Sequence, residues 1–390
     1  MKRVAVIGAG AAGAFCAAWL RDLAPELSVT VYESGPKPLA KVAITGGGRC
    51  NLTNSFEGIR SLKEAYPRGE RVMQRALKAF SQEDTVRWFT AHGVPCVLQE
   101  DHCWFPKSQN AMDVVNALLH AMSGVDLRLK SPVIPSEVEG SLSVNGVPYD
   151  FVVFTPGGIP KGFSLLDLDI VPPVPSLFTF TVPDTALRSL MGLVVEASIG
   201  IQGTSFRAGG PLLITDWGFS GPATLKLSSY AARHLAETGY KGTLAVGWLQ
   251  KPENQVRELL VKSAAEHPQK LVSSVHLLPQ RLWEHLIRKA ELREDLRWAE
   301  LGSKGLNKLV SILTNDSYPL AGKSKFREEF VTAGGVAIGN IDLNTLECKK
   351  HPGLYFAGEV LDIDAITGGF NLQAAWSTGY VCARSIVNSL

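Results

Sequence analysis

The stretch from Val4 to Glu33 constrains the fold of this 390-residue chain more than any other. An apolar run at residues 4–7 precedes a glycine pattern, which leads into helical spacing to about residue 23 and then a second apolar run ending at Glu33. The glycine pattern reads Gly8-Ala9-Gly10-Ala11-Ala12-Gly13. A strand, a glycine turn, a helix and a second strand that ends on an acid form the unit that binds dinucleotides in parallel sheets.

Each part of this unit has a physical role. Gly8 permits the tight turn, Gly10 lets backbone N–H groups approach a pyrophosphate, and Gly13 lets the helix pack closely on the strand. The helix N-terminus offers unpaired N–H groups and the positive end of its dipole to the phosphates. Glu33, roughly twenty residues after Gly13, can accept hydrogen bonds from an adenosine ribose. The predicted contacts at this end of the ligand are Gly8, Gly10, Ala11, Ala12, Gly13, Glu33 and Ser34.

Composition excludes several classes of protein. Hydrophobic residues make up 45% of the chain and charged residues 19%, which is typical of a soluble globular protein. The net charge of +2 gives no electrostatic reason to expect a nucleic-acid partner. No apolar run approaches the roughly eighteen residues of a membrane span, and the first strand lies where a signal peptide would be apolar. We therefore expect a cytoplasmic protein with about two or three domains and no membrane partner.

The cysteines and histidines indicate neither a redox pair nor a metal site. None of the six cysteines forms a Cys-x-x-Cys pattern, and the eight histidines form no His-Glu-x-x-His or similar cluster. We expect reduced, mostly buried thiols and no bound metal.

A second glycine-rich stretch follows the dinucleotide unit. Three consecutive glycines cannot form a helix interior or an ordinary strand, and Lys41 and Arg49 add positive charge nearby. This predicts a loop that contacts the ligand through Gly46, Gly47, Gly48, Arg49, Cys50 and Asn51. Cys50 has two interpretations: Arg49 could lower its pKa and give a reactive thiolate, or the side chain fills space beneath a ring. We favour the second because no partner cysteine is evident.

The rest of the first half indicates helices and then short strands. Helical spacing covers residues 71–92 and 111–122, and Ser81 is suited to cap a helix. Residues 127–144 alternate as short strands, including 133–134 and 136–139, before an Asn-Gly hairpin turn. The continuously apolar Phe151–Phe154 predicts a buried parallel strand that ends in a glycine turn.

Composition changes at about residue 170. Residues 171–249 indicate a mainly antiparallel or barrel-like module, and residues 252–313 have helical spacing. The chain then returns to α/β character with a predicted glycine turn at 331–336. A short apolar strand at 354–357 leads to Gly358 and Glu359.

The C-terminal motifs favour FAD over NAD as the resident ligand. Glu359 is suited to accept a ribityl hydroxyl, and a helix beginning near Asn371 would direct its positive end at the flavin. Reduction of a flavin builds negative charge on the pyrimidine edge, which a helix N-terminus stabilises.

Together these motifs resemble the BaiN/YhiN-like NAD(P)/FAD-dependent oxidoreductases. The resemblance rests on the sequences at 45–54, 218–223, 332–336, 357–362 and 368–373. It implies an α/β fold: a split Rossmann-like FAD-binding domain with an inserted β-barrel-like domain and a nested helical domain. The implied boundaries are 1–170 for the first half of the FAD domain, 171–251 for the β-rich insertion, 252–316 for the helical domain, 317–332 for the return through the insertion and 333–390 for the second half.

The resemblance also implies further FAD contacts. Val133 would contribute a backbone contact to adenine. The other implied contacts are Lys41, the glycine loop, Gly358, Glu359, Asp362, Thr367, Gly368, Gly369, Phe370 and Asn371. The chain departs from the family after Gly158, where relatives usually carry a longer segment and this chain passes through residues 163–167 to a run of prolines.

These features predict an FAD-dependent oxidoreductase that is reduced by NADH or NADPH and passes hydride to a small organic acceptor. No catalytic residue is assigned, and the oligomeric state stays open. Two alternatives remain. One is an FAD-dependent RNA-modifying enzyme, which would need a basic surface patch; the other is a non-enzymatic flavin-bound scaffold or redox sensor.

Overall fold

The computed structural model describes residues 1–138, 140–323 and 331–390. The chain divides into two compact units, Met1–Pro175 with Val331–Leu390, and Ser176–Phe330. Glu139 from the predicted strand at 136–139, and residues 324–330 from the predicted return through the insertion, lie outside the described residues.

Strands and helices alternate at the start of the chain, and helices dominate the later part of the second unit. The strands are β1 (Arg3–Ile7), β2 (Ser28–Tyr32), β3 (Thr53–Asn54), β4 (Cys96–Leu98), β5 (Cys103–Pro106), β6 (Asp126–Arg128), β7 (Pro135–Val138), β8 (Ser141–Val144), β9 (Val147–Pro148), β10 (Phe151–Phe154), β11 (Ile170–Ser176), β12 (Phe180–Thr181), β13 (Val194–Ile201), β14 (Arg207–Ile214), β15 (Gly218–Ser220), β16 (Gly242–Gly247), β17 (Asp316–Leu320), β18 (Gly322–Lys323), β19 (Val331–Val336) and β20 (Leu354–Phe356). The helices are α1 (Ala11–Leu23), α2 (Ala40–Gly48), α3 (Leu62–Ala65), α4 (Glu70–Ala79), α5 (Gln82–Ala91), α6 (Ala111–Ala121), α7 (Thr185–Arg188), α8 (Pro222–Tyr230), α9 (Ala232–Glu237), α10 (Glu253–Glu266), α11 (Gln280–Lys289), α12 (Gly302–Asn315) and α13 (Phe370–Asn388).

The first unit is built on a parallel sheet with the strand order β20-β10-β1-β2-β6. Val4 of β1 lies opposite Phe151 of β10 on one side and Val29 of β2 on the other. All four residues of β10 are buried, as the continuously apolar sequence predicts. Since β20 comes from the C-terminal part of the chain, both ends build one sheet, and the predicted split Rossmann-like fold is confirmed.

Helices α1 and α13 pack closely against each other in this unit. A Cβ on Gly379 of α13 would lie 2.6 Å from the carbonyl oxygen of Ala12 in α1. Farther along, the rings of Phe15 and Trp376 lie 5.3 Å apart. A small residue thus brings the start of α1 against the middle of α13, and aromatic residues fill the space beside this contact.

The glycine pair at residues 334–335 lies inside strand β19, so the predicted turn at 331–336 is wrong. A Cβ on Gly334 would lie 2.6 Å from the carbonyl oxygen of Pro172 in β11, and one on Gly335 would lie 2.2 Å from that of Val360. The two glycines therefore let β19 lie close to the backbones at Pro172 and Val360. Glycine inside a strand often marks such a close approach of another backbone.

The second unit contains an antiparallel sheet with the order β17-β16-β13-β14-β15-β12-β18. The helical region predicted for 252–313 contains α10, α11 and α12. Their apolar faces share one core with the sheet, and the indoles of Trp248, Trp283 and Trp298 are buried in it. The antiparallel and helical character of this unit agrees with the sequence.

Candidate dinucleotide site

The turn after β1 uses its three glycines in two different ways. A Cβ on Gly8 would lie 2.2 Å from the carbonyl oxygen of Thr155, and one on Gly13 would lie 1.9 Å from that of Gly8. Both positions therefore need glycine for packing. In contrast, a Cβ on Gly10 would meet no atom of the described residues within 4 Å. Gly10 thus faces open space, as a backbone segment that approaches a ligand must.

Helix α1 begins at this open space. Gly10 is its N-cap, and no side chain in the described ranges caps the helix. The first N–H groups of the helix, at Ala11 and Ala12, therefore remain available at the positive end of the helix dipole. This arrangement is suited to a diphosphate.

Glu33 lies at the end of β2, next to the glycine turn. Its Oε2 accepts a hydrogen bond from the Ala9 N–H at 3.0 Å, and its Oε1 accepts one from the Gly35 N–H at 2.7 Å. The Ser34 hydroxyl donates to the same Oε1 at 3.3 Å. The structure therefore brings Glu33 and Ser34 together with the turn that faces open space.

The segment leading to Val133 is tied to the same end of β2. The Ser131 N–H donates to the Glu33 carbonyl oxygen at 2.8 Å, and Val133 follows two residues later in a half-buried position. The prediction of a strand at 133–134 is wrong, because both residues lie outside the strands. Val133 therefore lies in a loop, where its backbone groups are not committed to a sheet ladder.

The triple-glycine stretch forms the end of α2. The backbone leaves the helical region at Thr45, where ψ is 148°, and φ is positive at Gly46, Gly47 and Gly48. A Cβ on Gly47 or Gly48 would meet no described atom within 4 Å. This loop is therefore a second place where bare backbone faces open space.

The two side chains after these glycines lie in different environments. The Arg49 Nε donates to the Gly46 carbonyl oxygen at 3.2 Å, and the guanidinium lies 4.6 Å from the centre of the Phe105 ring. Cys50 is fully buried, and this burial raises the pKa of its thiol to about 12. Burial thus speaks against the thiolate interpretation of Cys50, since desolvation disfavours the charged form of the thiol. The space-filling interpretation agrees with the structure.

Replacing Cys50 with alanine should leave cofactor binding and turnover unchanged and should lower the free energy of unfolding by about 1 kcal/mol. The reason is that a protonated, buried thiol contributes packing only. Flavin content and turnover of Cys50→Ala measure the first expectation, and denaturant unfolding measures the second. Loss of turnover in a variant that keeps its flavin would show that the thiol takes part in the reaction.

The chain after the loop packs against the start of α13. The Asn54 Nδ2 donates to the Gly368 carbonyl oxygen at 3.0 Å, across 314 residues of sequence. The amide group of Asn51 lies 3.0 Å from the Thr53 carbonyl oxygen and 3.2 Å from the Gly369 amide nitrogen. A Cβ on Gly369 would lie 2.6 Å from that Thr53 oxygen. The structure thus brings the triple-glycine loop and the predicted C-terminal contacts together.

At the start of helix α13, backbone N–H groups rather than side chains are available to a ligand. It begins after Gly369 without a side-chain cap from any described residue. The Ala365 N–H donates to Asn371 Oδ1 at 3.0 Å, and Asn371 Nδ2 donates back to the Ala365 carbonyl oxygen at 3.1 Å. Phe370 is buried and packs edge-on against Phe56. Phe370 and Asn371 therefore support the turn, and the N–H groups at the helix start are available to a ligand.

Glu359 is the meeting point of three chain segments. Its Oε1 accepts a hydrogen bond from the Thr332 N–H at 2.9 Å, and its Oε2 accepts one from Lys41 Nζ at 3.1 Å. A Cβ on Gly158 would lie 3.0 Å from Oε1, so the glycine turn after β10 lies beside the same carboxylate. The sequence did not identify Thr332, because a backbone N–H donor has no residue signature.

Gly358, Asp362 and Thr367 are the remaining predicted residues, and of these the structure brings Gly358 to the N-terminal turn, whereas Asp362 contacts β19. The Gly358 N–H donates to Thr378 Oγ1 at 2.9 Å, and a Cβ on Gly358 would lie 2.9 Å from Cβ of Ala12 in α1. The Asp362 N–H donates to the Val336 carbonyl oxygen at 3.0 Å, and Thr367 is half-buried just before Gly368. Gly358 therefore joins the C-terminal contacts to the N-terminal glycine turn.

We call these segments the cradle: residues 8–13, 33–34, 41–51, 358–359 and 367–371, all in the first unit. Its open glycines and its two uncapped helix starts fit the two ends of a long dinucleotide such as FAD.

Within residues 1–138, 140–323 and 331–390, no group of three histidine, cysteine or acidic side chains could hold a metal ion. In the same ranges, no helix combines the length and apolarity needed to cross a bilayer.

Comparison with known proteins gives a family and relatives across the full length. The family profile described as HI0933-like protein Rossmann domain matches residues 2–147 and 167–385. The chain is 30% identical over 414 residues to a ribosomal RNA dihydrouridine synthase of Escherichia coli, covering 98% of this chain and 97% of that protein. It is 30% identical over 408 residues to a Haemophilus influenzae protein of the same name, with the same coverage. It is 26% identical over 413 residues to a 3-dehydro-bile acid delta(4,6)-reductase of Clostridium scindens, covering 99% of each.

Proposed function

The chain belongs to the HI0933-like Rossmann-domain family of FAD-dependent oxidoreductases, and on this premise we propose that it reduces a carbon–carbon double bond of a uridine in ribosomal RNA with electrons from NADH or NADPH. The observation that carries the proposal is the cradle, in which both ends of the chain contribute open backbone to one unit. The choice of substrate is supported by the two relatives that are 30% identical.

The cradle would hold FAD by its two ends. Residues 8–13 and Glu33 would bind the diphosphate and the adenosine ribose, while Lys41, Glu359 and residues 367–371 would bind toward the flavin. Bound there, FAD would supply the two-electron hydride chemistry that the proposed reaction needs.

The chain contributes positioning and electrostatics to such a reaction. The uncapped start of α13 would stabilise negative charge on the flavin, and the uncapped start of α1 would do so for the diphosphate. Glu359 is fixed by Thr332 and Lys41, so its carboxylate is positioned before a ligand arrives. A group held in place in this way loses little entropy when it binds.

Mixing the FAD-loaded protein anaerobically with NADH and with NADPH should bleach the flavin absorbance with at least one of them. Re-oxidation should then follow when ribosomal RNA that lacks dihydrouridine is added, and nucleoside mass spectrometry should detect dihydrouridine. Protein without its flavin is the control. If neither nicotinamide reduces the flavin, the proposed electron donor is wrong; if RNA neither re-oxidises the flavin nor gains dihydrouridine, the proposed acceptor is wrong.

A small carbonyl-conjugated alkene is the second candidate acceptor, in line with the small organic acceptor predicted from sequence. Its support is the 26% identity to a bile acid reductase over 99% of both chains and the near-neutral net charge. Re-oxidation of the reduced flavin by a dienone steroid, with no response to RNA, would favour this candidate. Absence of turnover with every acceptor would favour the scaffold or sensor alternative.

A further inference from the structure

The second unit contains a cavity of about 360 Å³ with two arginines in its wall. It is lined by Thr185, Arg188, Ser189, Met191, Asp216 and Arg281. All six residues belong to the Ser176–Phe330 unit, whereas the cradle belongs to the other unit. We call it the Arg188–Arg281 cavity. No motif in the sequence and no function proposed above accounts for it.

Each arginine is oriented by a main-chain oxygen. Arg188, at the end of α7, donates from Nε to the carbonyl oxygen of Asp216. Arg281, in the first turn of α11, donates from Nη2 to the carbonyl oxygen of Ser189 at 2.6 Å. A guanidinium has five N–H donors, so each arginine keeps most of its donors for another acceptor. The two guanidinium groups are therefore held in place, and each still has N–H donors available for a ligand.

The charge of the cavity is positive. Neither Arg188 nor Arg281 forms an ion pair with a carboxylate among the described residues, and both are exposed. Asp216, which also lines the cavity, carries one negative charge against the two positive charges. An anion with several oxygens matches two guanidinium groups in geometry and in charge, and a phosphate diester is such an anion.

The cavity is larger than a phosphate and has one apolar wall. Cavities that bind small ligands have volumes of about 300–1,000 Å³, which is the size of a nucleotide or more. Met191 contributes the apolar part of the wall, and its side chain is 58% exposed. A thioether can pack against a sugar or a base without selecting a sequence.

We propose that the Arg188–Arg281 cavity binds one nucleotide unit of an RNA, with the phosphate on the two arginines and the sugar or base against Met191. The proposal rests on the proposed function, since it assigns a backbone-binding site to the same RNA substrate. Because RNA is a polymer, a phosphate site outside the cradle can contribute to affinity without contacting the reacting base.

The test uses the full-length, FAD-loaded protein and a fluorescently labelled ribosomal RNA fragment that contains uridine. Arg188→Ala and Arg281→Ala should each weaken RNA binding about tenfold. Each should also reduce the slope of log K against log salt concentration by about one, because one phosphate contact is lost. Arg188→Lys and Arg281→Lys should recover part of the affinity, because they keep the charge and lose the fork geometry.

Arg257→Ala is the matched control. Arg257 is an exposed arginine of α10 in the same unit, and it pairs with Glu253 at 3.5 Å. This variant should bind RNA as the wild type does. Flavin content, thermal unfolding and reduction by nicotinamide should be the same in all variants, which separates a lost contact from a lost fold.

Three results would overturn the proposal. RNA binding by the double variant Arg188→Ala/Arg281→Ala could equal that of the wild type, or the wild type could fail to bind the RNA. The variants could also be impaired only in reduction by NADPH, which would assign the cavity to the phosphates of the nicotinamide. RNA binding that depends on both arginines, without dihydrouridine formation, would instead refute the proposed reaction and leave the binding site standing.

Discussion

Replacing Gly10 with valine should abolish FAD binding and leave the apoprotein folded. Gly10 has φ of −81° and ψ of −167°, an extended conformation that valine adopts readily, and its Cβ would meet no described atom within 4 Å. The added side chain would instead occupy the space that a diphosphate needs at the start of α1. We expect a loss of at least about 100-fold in FAD affinity, or roughly 3 kcal/mol. Titration of the apoprotein with FAD measures it.

Two other glycine variants show whether this effect is specific. Gly339→Val is the matched control, because a Cβ there also meets no described atom within 4 Å and Gly339 is not one of the cradle residues, so FAD binding should be normal. Gly13→Ala should act differently: its Cβ would lie 1.9 Å from the Gly8 carbonyl oxygen, and overpacking should destabilise the fold by about 1–3 kcal/mol. Normal FAD affinity in Gly10→Val would refute the placement of the diphosphate at α1.

Gly8, Gly10 and Gly13 belong to the part of the structure that the sequence could predict. The fingerprint places them on a strand, a turn and a helix, and the structure has β1, the turn and α1 at those residues. This part was predictable because the interactions are local and each residue type follows from its backbone geometry. The buried β10 was predictable for the same reason, since its apolar run is continuous.

The contacts of Glu359 were not predictable in the same way. Lys41 is 318 residues away in sequence, and Thr332 contributes a backbone donor that leaves no signature. The prediction at 331–336 failed for a related reason. Glycine is needed there because β11 approaches closely, and sequence alone cannot distinguish close approach from a turn.

The segment after Gly158, where the sequence departs from the pattern of the family, lies in a stretch that the family profile does not match. The family profile leaves residues 148–166 unmatched, and the shortened chain is fixed just after them at Asp167. The Asp167 carboxylate accepts hydrogen bonds from His351 at 2.7 Å and from Lys350 at 3.0 Å, which lower its pKa to about 2. Asp167 therefore connects the end of this segment to residues 350–351 of the same unit.

Replacing Arg68 with methionine should produce the largest loss of stability among substitutions near the cradle. Arg68 forms a two-pronged ion pair with Asp364, whose side chain is completely buried, and the Arg68 side chain is 11% exposed. Removing the guanidinium leaves a buried carboxylate without its cation, which costs about 3–5 kcal/mol. Thermal unfolding of the FAD-free protein should show a midpoint lower by roughly 10 °C.

Two further variants test whether the loss of stability comes from the buried carboxylate. Asp364→Asn in the Arg68→Met background should restore more than half of the lost stability, because it removes the uncompensated charge. Arg87→Met, at the exposed pair with Asp84, should change stability by less than about 1 kcal/mol, because water already screens that pair. Asp364 begins the segment that leads to Gly368 and Gly369, so Arg68→Met should also weaken FAD binding. Equal effects of Arg68→Met and Arg87→Met would mean that the buried pair does not hold the cradle in place.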